Sequence, residues 1–343
     1  MRAVRLHGVR DLRLEQVPDP VPAPDEVVLA VKAVGVCGSD LHHYLEGSIG
    51  AIRSEEPFVL GHEFAAEVVE GGSLAPDALT LGTLVAVDPN RSCGTCEWCR
   101  EGHTNLCPDV RFTGVPPYPG ALAEYVTARP EELVALPEGF DASKGALLEP
   151  LGVAIHALEL ARLKPLASVA VVGVGAIGAL LLQVARLCGA GRIVAVDPLS
   201  YRRRLASELG ADAVAADAAG VLDETDGRGV DVVLEATNSP DGPQHAAEAV
   251  RVGGRLVLVG IPTGNRFAFD AALVRRKGLT IKMSRRMRHV YPRAVQMVQA
   301  GKVRLEPLVT HRFDLAGTPG AFVLQADYLD GVVKSVIHPG GLA

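Results

Sequence analysis

A run of glycines, Gly173-Val174-Gly175-Ala176-Ile177-Gly178, follows directly on an apolar stretch, Val169-Ala170-Val171-Val172. An uncharged strand of this kind suits the centre of a parallel sheet that is covered on both faces. The three glycines then serve distinct ends: a tight turn, a close approach of backbone to a pyrophosphate, and close packing of the next helix on the strand. The helix start supplies unpaired N–H groups and the positive end of a dipole for phosphate. A second strand, Ile193-Val194-Ala195-Val196, ends in Asp197, nineteen residues after Gly178. A carboxylate there accepts hydrogen bonds from an adenosine ribose and repels a 2′-phosphate. The motif therefore predicts a doubly wound α/β domain that holds a dinucleotide through Gly173, Gly175, Ala176, Ile177, Gly178 and Asp197, with NAD favoured over NADP. Arg202, Arg203 and Arg204 weigh the other way, because a nearby cation can hold a phosphate.

The surrounding pattern agrees with this reading. Helical Arg203 to Leu209, strand Val230 to Leu234, helical Gln244 to Val250 and strand Arg255 to Val259 alternate, as a parallel sheet with crossover helices requires. The first 150 residues differ. Short apolar runs at Val27 to Val31 and Ala65 to Val69 are broken by Pro18-Asp19-Pro20 and Pro22-Ala23-Pro24, which predicts a β-rich domain. At 343 residues the chain is long enough for two domains of ~100–200 residues each. Aromatic residues make up only 4%, so the cores must be built from Val, Leu, Ala and Ile. The net charge of −6 argues against a zinc-scaffold protein that binds nucleic acid. Leu166 to Ala185 carries no charge over twenty residues, but the glycine motif inside it reads as strand, turn and helix rather than a membrane span. Met1-Arg2-Ala3-Val4-Arg5 leads into no apolar signal region, and a reducing cytoplasm is the expected compartment.

Six cysteines divide by position. Cys93, Cys96 and Cys99 stand three apart and Cys107 follows eight later, on a loop punctuated by Gly94 and Gly102. Four thiolates at this spacing suit a closed tetrahedral zinc site, which has no open position and is structural. An iron–sulfur cluster takes four cysteines too, but nothing else in the chain suggests electron transfer. Cys37 follows a strand, and Gly61-His62-Glu63 lies twenty-four residues further on. A thiol, an imidazole and a carboxylate make a mixed set with one position open, as catalytic zinc requires. Cys188, on the helix after the glycine motif, reads as an inert core residue.

Several segments together resemble the zinc-dependent medium-chain dehydrogenases, and within them the sorbitol (polyol) dehydrogenase branch. They are Cys37-Gly38-Ser39-Asp40-Leu41-His42, Tyr44 to Gly50, Val59-Leu60-Gly61-His62-Glu63, the four-cysteine lobe, Leu148-Glu149-Pro150-Leu151, the glycine motif and Glu306 to Phe313. The resemblance spans essentially the whole chain. It implies a GroES-like β-rich catalytic domain at 1–151, completed by 286–343, around a Rossmann domain at 152–285. It implies two zinc ions per chain and a homo-oligomer, a tetramer or a dimer. Cys37 and His62 would ligate the catalytic zinc, Glu149 would stand where alcohol dehydrogenases have a second cysteine, and Glu63 would be the third ligand. Glu149 would then bond to zinc-bound water or exchange onto the metal. Asp40 would orient the His62 imidazole, Ser39 would relay the alcohol proton, and His42 would pass it toward solvent. Arg202, Val259, Gly260, Ile261, Ser284 and Arg285 would join the cofactor contacts.

The same resemblance places His43, Phe112, Glu149 and Arg286 against the substrate. Two aromatic positions of the branch are replaced here, one by His43 and one by Met287. Arg285, Arg286 and Arg288 make a basic edge that suits a carboxylate or phosphate on the substrate, such as an aldonate. The expected reaction is oxidation of a secondary hydroxyl of a polyol or sugar acid. Threonine 3-dehydrogenase and vicinal-diol dehydrogenase, which share the Glu-Pro pair, are the alternatives.

Overall fold

The computed structural model describes residues 1–71 and 80–342, which form two compact units. The first comprises Met1–Glu149 and Val309–Ala343, and the second Pro150–Leu308.

A seven-stranded sheet organises the first unit. Its path runs Leu133–Ala135, Leu84–Val87, Glu63–Glu70, Val27–Gly35, Lys334–His338 and Val309–Asp314, with Tyr125–Ala128 also paired to Val27–Gly35. Strand Val27–Gly35 thus lies between a strand from early in the chain and one from its end. In that register Gly35 faces Glu63 on one side and Val336 on the other. Every residue of Val27–Gly35 except Ala30 and Lys32 is buried, so the strand reads as a continuous apolar run, as a central strand should. The core beside it is aliphatic, with Leu29, Val34, Leu60 and Ile337 fully buried and Phe64 and Phe322 as its large aromatic fillers.

The second unit holds six parallel strands: Ser168–Val172, Arg192–Val196, Ala213–Ala215, Val230–Glu235, Val250–Leu258 and Thr280–Met283. Counted along the chain, their spatial order is third, second, first, fourth, fifth, sixth. This is the order of a dinucleotide-binding sheet, whose strand order reverses beside the first strand. The uncharged window resolves into strand Ser168–Val172 and helix Ala176–Leu187, and no described helix is long and apolar enough to cross a membrane.

Two expectations are corrected by the packing. Residues 286–308, expected to return to the catalytic domain, belong to the second unit. Met287 and Val290 fill the space over Gly152, where a Cβ would collide with Met287 Sδ. Arg293 pairs with Glu159, and Gln183 exchanges hydrogen bonds with the backbone of Arg304 at 2.8 and 3.2 Å. Cys188 is exposed rather than in the core, because it stands at the C-cap, just past the last residue of helix Ala176–Leu187.

Candidate functional site

Helix Gly38–Glu46 starts immediately after Cys37, which is its N-cap residue in extended conformation. Asp40, in the first turn, reaches back and accepts a hydrogen bond from Cys37 N at 3.0 Å, satisfying a donor that the helix leaves unpaired. Its other oxygen accepts from Gly61 N at 3.2 Å and lies 3.4 Å from His62 Nδ1. One buried carboxylate therefore joins the Cys37 turn to the His62 turn. Gly61 makes that junction at φ +95°, a conformation that costs a side chain dearly, and a Cβ there would press on Val34 and Leu122.

The ligand atoms of Cys37, His62 and Glu63 lie within 4.8 Å of one another. Ser39 Oγ stands 3.4 Å from His62 Nε2, and the Phe112 ring packs at 5.4 Å from the His62 ring. Burial works against a charge on His62, yet Asp40 and Cys37 outweigh it and raise the imidazole well above its ordinary range. Burial also pushes Asp40 upward, but His62 and the two N–H donors hold it below the usual carboxylate range. Asp40, His62 and Cys37 thus favour one another's charged forms. A divalent cation fits that donor set, displacing the imidazole proton.

Glu149 opens helix Leu148–Ala161, with Pro150 following in its first turn. It is buried and lies outside the group formed by Cys37, His62 and Glu63. Burial raises its carboxyl to about 7; the nearby Glu63 charge adds to this, while His62 and Lys334 oppose it. His42 is buried and its Nδ1 meets Glu46 Oε1 at 2.7 Å across one helical turn. His43 is buried on the same helix; its Nε2 has no hydrogen-bond partner, and burial lowers its pKa.

Lys334 is the residue that sequence reasoning missed. The residue is 3% exposed, and its ammonium donates to Glu63 Oε1 at 2.9 Å, Glu63 Oε2 at 2.7 Å and Val36 O at 3.0 Å. Burial would lower it, but Glu63, Cys37 and Glu149 keep it raised and charged. A signal was present, since a lone lysine within Val332-Val333-Lys334-Ser335-Val336-Ile337 must be buried and therefore paired.

The four-cysteine lobe converges as well. Cys93, Cys96, Cys99 and Cys107 bring their sulfurs within 4.8 Å of one another, and none is in a disulfide. Two sulfurs bound to one tetrahedral zinc stand ~3.8 Å apart, and Cys93 Sγ and Cys99 Sγ are 3.9 Å apart. The N–H groups of Thr95 and Cys96 pull Cys93 down to about 6. Cys96 is pushed up to about 12: the Cys99 N–H opposes this, but burial and the neighbouring sulfurs prevail. Sulfurs this close do not all ionise without a cation between them, and the donor set fits zinc.

In the second unit, Gly173 turns at φ +88°, and a Cβ on it would press on Thr237 and Ala236. A Cβ on Gly178 would collide with the Gly173 carbonyl, whereas one on Gly175 would meet only Arg202, 3.9 Å away. The turn is thus tight below and open above, before helix Ala176–Leu187, where Ala176 and Ile177 form the first turn. Asp197 is buried and accepts from Val174 N at 2.8 Å and Leu199 N at 2.9 Å, with Arg202 Nη1 at 3.6 Å. Arg203 donates to the carbonyls of Asp197 and Pro198. Val259 and Gly260 donate to Glu235 O at 2.8 and 3.1 Å, just past the end of their strand, and Ile261 is exposed. Ser284 N donates to Leu258 O, Arg285 is exposed, and Arg286 adopts φ +54°.

Residues 23–138 match the model of the alcohol dehydrogenase GroES-like domain, and residues 176–300 that of the zinc-binding dehydrogenase domain. Sorbitol dehydrogenase of Bacillus subtilis (strain 168) is 35% identical over 99% of this chain and 97% of its own length. L-idonate 5-dehydrogenase of Vitis vinifera is 34% identical over 91% and 87%. A solved structure from Sinorhizobium meliloti 1021, described as a zinc-binding dehydrogenase bound to NADP, superposes with a TM-score of 0.88 at 32% identity, covering 98% of this chain and 99% of that one. With both domain models matched and full-length relatives named as dehydrogenases, this chain belongs to the zinc-dependent medium-chain dehydrogenases and is a zinc- and nicotinamide-dependent enzyme similar to sorbitol dehydrogenase.

Proposed function

We propose that the protein oxidises a secondary hydroxyl of a polyol or sugar acid to the ketone with NAD. One zinc would be held by Cys37, His62 and Glu63, and a second, structural zinc by Cys93, Cys96, Cys99 and Cys107. The observation that carries this reading is the meeting of one thiol, one imidazole and one carboxylate beside the Ser39 hydroxyl. Three such ligands leave a fourth position for a substrate oxygen. When bound, zinc supplies Lewis acidity at that oxygen and the nicotinamide accepts the hydride.

The chain's own residues supply the rest. Ser39 Oγ receives the hydroxyl proton of the substrate and gives up its own. His42, fixed in orientation by Glu46, takes that proton onward. Glu149, poised to exchange a proton near neutrality, is the second acceptor on the substrate side. Phe112 and His43 shape the substrate's surroundings, and the Arg286 guanidinium suits a hydroxyl or acid group of the substrate. A positive φ at a non-glycine residue such as Arg286 carries a conformational cost, as functional positions often do.

A carboxylate at Asp197 favours NAD, because it repels a 2′-phosphate. Arg203 is already committed to two carbonyls, so the arginine cluster offers less to a phosphate than its sequence suggests. The assembly is proposed to be a homo-oligomer, tetramer or dimer, working in a reducing cytoplasm that keeps the thiolates available to zinc.

One panel tests this reading: steady-state rates on sorbitol, xylitol, idonate, threonine and 2,3-butanediol with each cofactor, beside metal analysis. Polyols or idonate with NAD should lead; preference for threonine or butanediol would replace the substrate assignment. Cys37→Ala should cut turnover by roughly 10²–10³-fold or more while NADH binding persists and one of two zincs is lost. A Cys37→Ala enzyme that still turns over would refute the ligand role.

A further inference from the structure

We propose that Lys334 is a positioning residue that holds the Glu63 carboxylate and keeps it a weakened, displaceable donor toward the catalytic metal. This rests on the ligand reading above, in which Cys37, His62 and Glu63 form the set.

The sheet builds the contact. Gly35 pairs in register with both Glu63 and Val336, and Val36 N donates to Ser335 O, so Lys334 arrives beneath the Cys37 turn. A Cβ on Gly35 would collide with Glu63 Oε2, so the missing side chain makes room for the carboxylate. All three N–H donors of the ammonium have acceptors: two go to the carboxylate and one to the Val36 carbonyl. Each Glu63 oxygen therefore shares its electron density with a buried cation, and keeps a lone pair for a metal on its other side.

The electrostatic consequence has a definite sign. A divalent cation entering beside Glu63 is repelled by the ammonium, and draws on a carboxylate whose charge is already neutralised. In a buried site that repulsion is little screened. Deleting the ammonium removes the repulsion from the metallated state and leaves Glu63 unpaired in the metal-free state. Both changes favour metal uptake, whereas a purely structural lysine would weaken it when lost.

The test is chelator competition at pH 8, run on the full-length protein and releasing zinc in steps; the step missing from Cys37→Ser identifies the catalytic site. Lys334→Met should hold that equivalent roughly tenfold or more tightly than wild type, and its metal-free form should melt earlier. Lys334→Arg, which keeps the charge, should restore wild-type affinity. Equal or weaker retention in Lys334→Met overturns the proposal. Should Lys334→Met not fold, Lys334→Met with Glu63→Gln carries no unpaired charge and should bind zinc more tightly than Glu63→Gln alone; equal affinity overturns it as well. A wild-type chain with no zinc step assigned to Cys37 would instead refute the underlying ligand reading.

Discussion

Asp40 shows how one buried carboxylate organises a site whose parts lie far apart in the chain. It caps the Cys37 helix, accepts from the Gly61 turn and faces the His62 ring, so its removal would loosen all three. Gly35 acts by the opposite means, through an atom it lacks. Gly35→Ala should drive Glu63 off Lys334 and cost about 1–3 kcal/mol through overpacking and a broken buried pair. Gly8→Ala, where nothing lies within 4 Å of the added carbon, should fall within about 0.5 kcal/mol of wild type. Comparing the denaturation midpoints of these two variants with wild type checks the argument, and equal effects would contradict it.

At the scale of elements, the parallel sheet is tied at the end opposite its glycine turn. Asp231, at the start of its strand, accepts from Ser168 N and Ser168 Oγ at 2.8 Å each, from Arg228 at 2.9 Å and from Arg251 at 2.6 Å. Burial pushes its carboxyl up, but these donors outweigh burial and hold it far below the ordinary range. A native pKa below the unfolded one contributes stability that is present above about pH 4 and lost as pH falls further. Asp231→Asn should therefore cost about 1.5–3 kcal/mol at pH 7, and the gap to wild type should close below pH 4. Thermal melts at pH 7 and pH 3 read this directly; a gap constant with pH would count against it. In the cysteine lobe, helix Glu97–Arg100 buries no residue, while Asn105 and Cys107 beyond it are buried; a metal held by the four sulfurs would add to the lobe's order.

For the whole molecule, chain order and spatial order part company. The last 35 residues of the first unit supply two strands of its seven-stranded sheet, the buried Phe322 and Lys334. A chain ending at Leu308 should leave the Val34–Gly35 end of strand Val27–Gly35 without its partner, beyond the part paired with Tyr125–Ala128, and should yield insoluble protein or a melt without cooperativity. A chain ending at Gly340 should behave as wild type. Soluble yield and a thermal melt distinguish the two, and a cooperative Leu308-terminated protein would contradict this account.

The glycine motif and the cysteine lobe were legible in sequence because each is a local device, complete within about thirty residues. Turn geometry, helix dipole and ligand spacing are set by neighbours along the chain. The 286–308 segment misled because its partners, Gly152, Glu159 and Gln183, lie more than a hundred residues away. Cys188 misled because helix Ala176–Leu187 ends one residue before it, so it does not continue the buried face of that helix. By itself the sequence determined the residue types: a thiol, an imidazole, two carboxylates, four clustered cysteines and a glycine turn. Only the tertiary structure decided their pairings. Lys334 and Glu63 are 271 residues apart, and no local rule links them. They meet because a buried ammonium and a buried carboxylate each need the other, and because sheet register sets them on either side of Gly35.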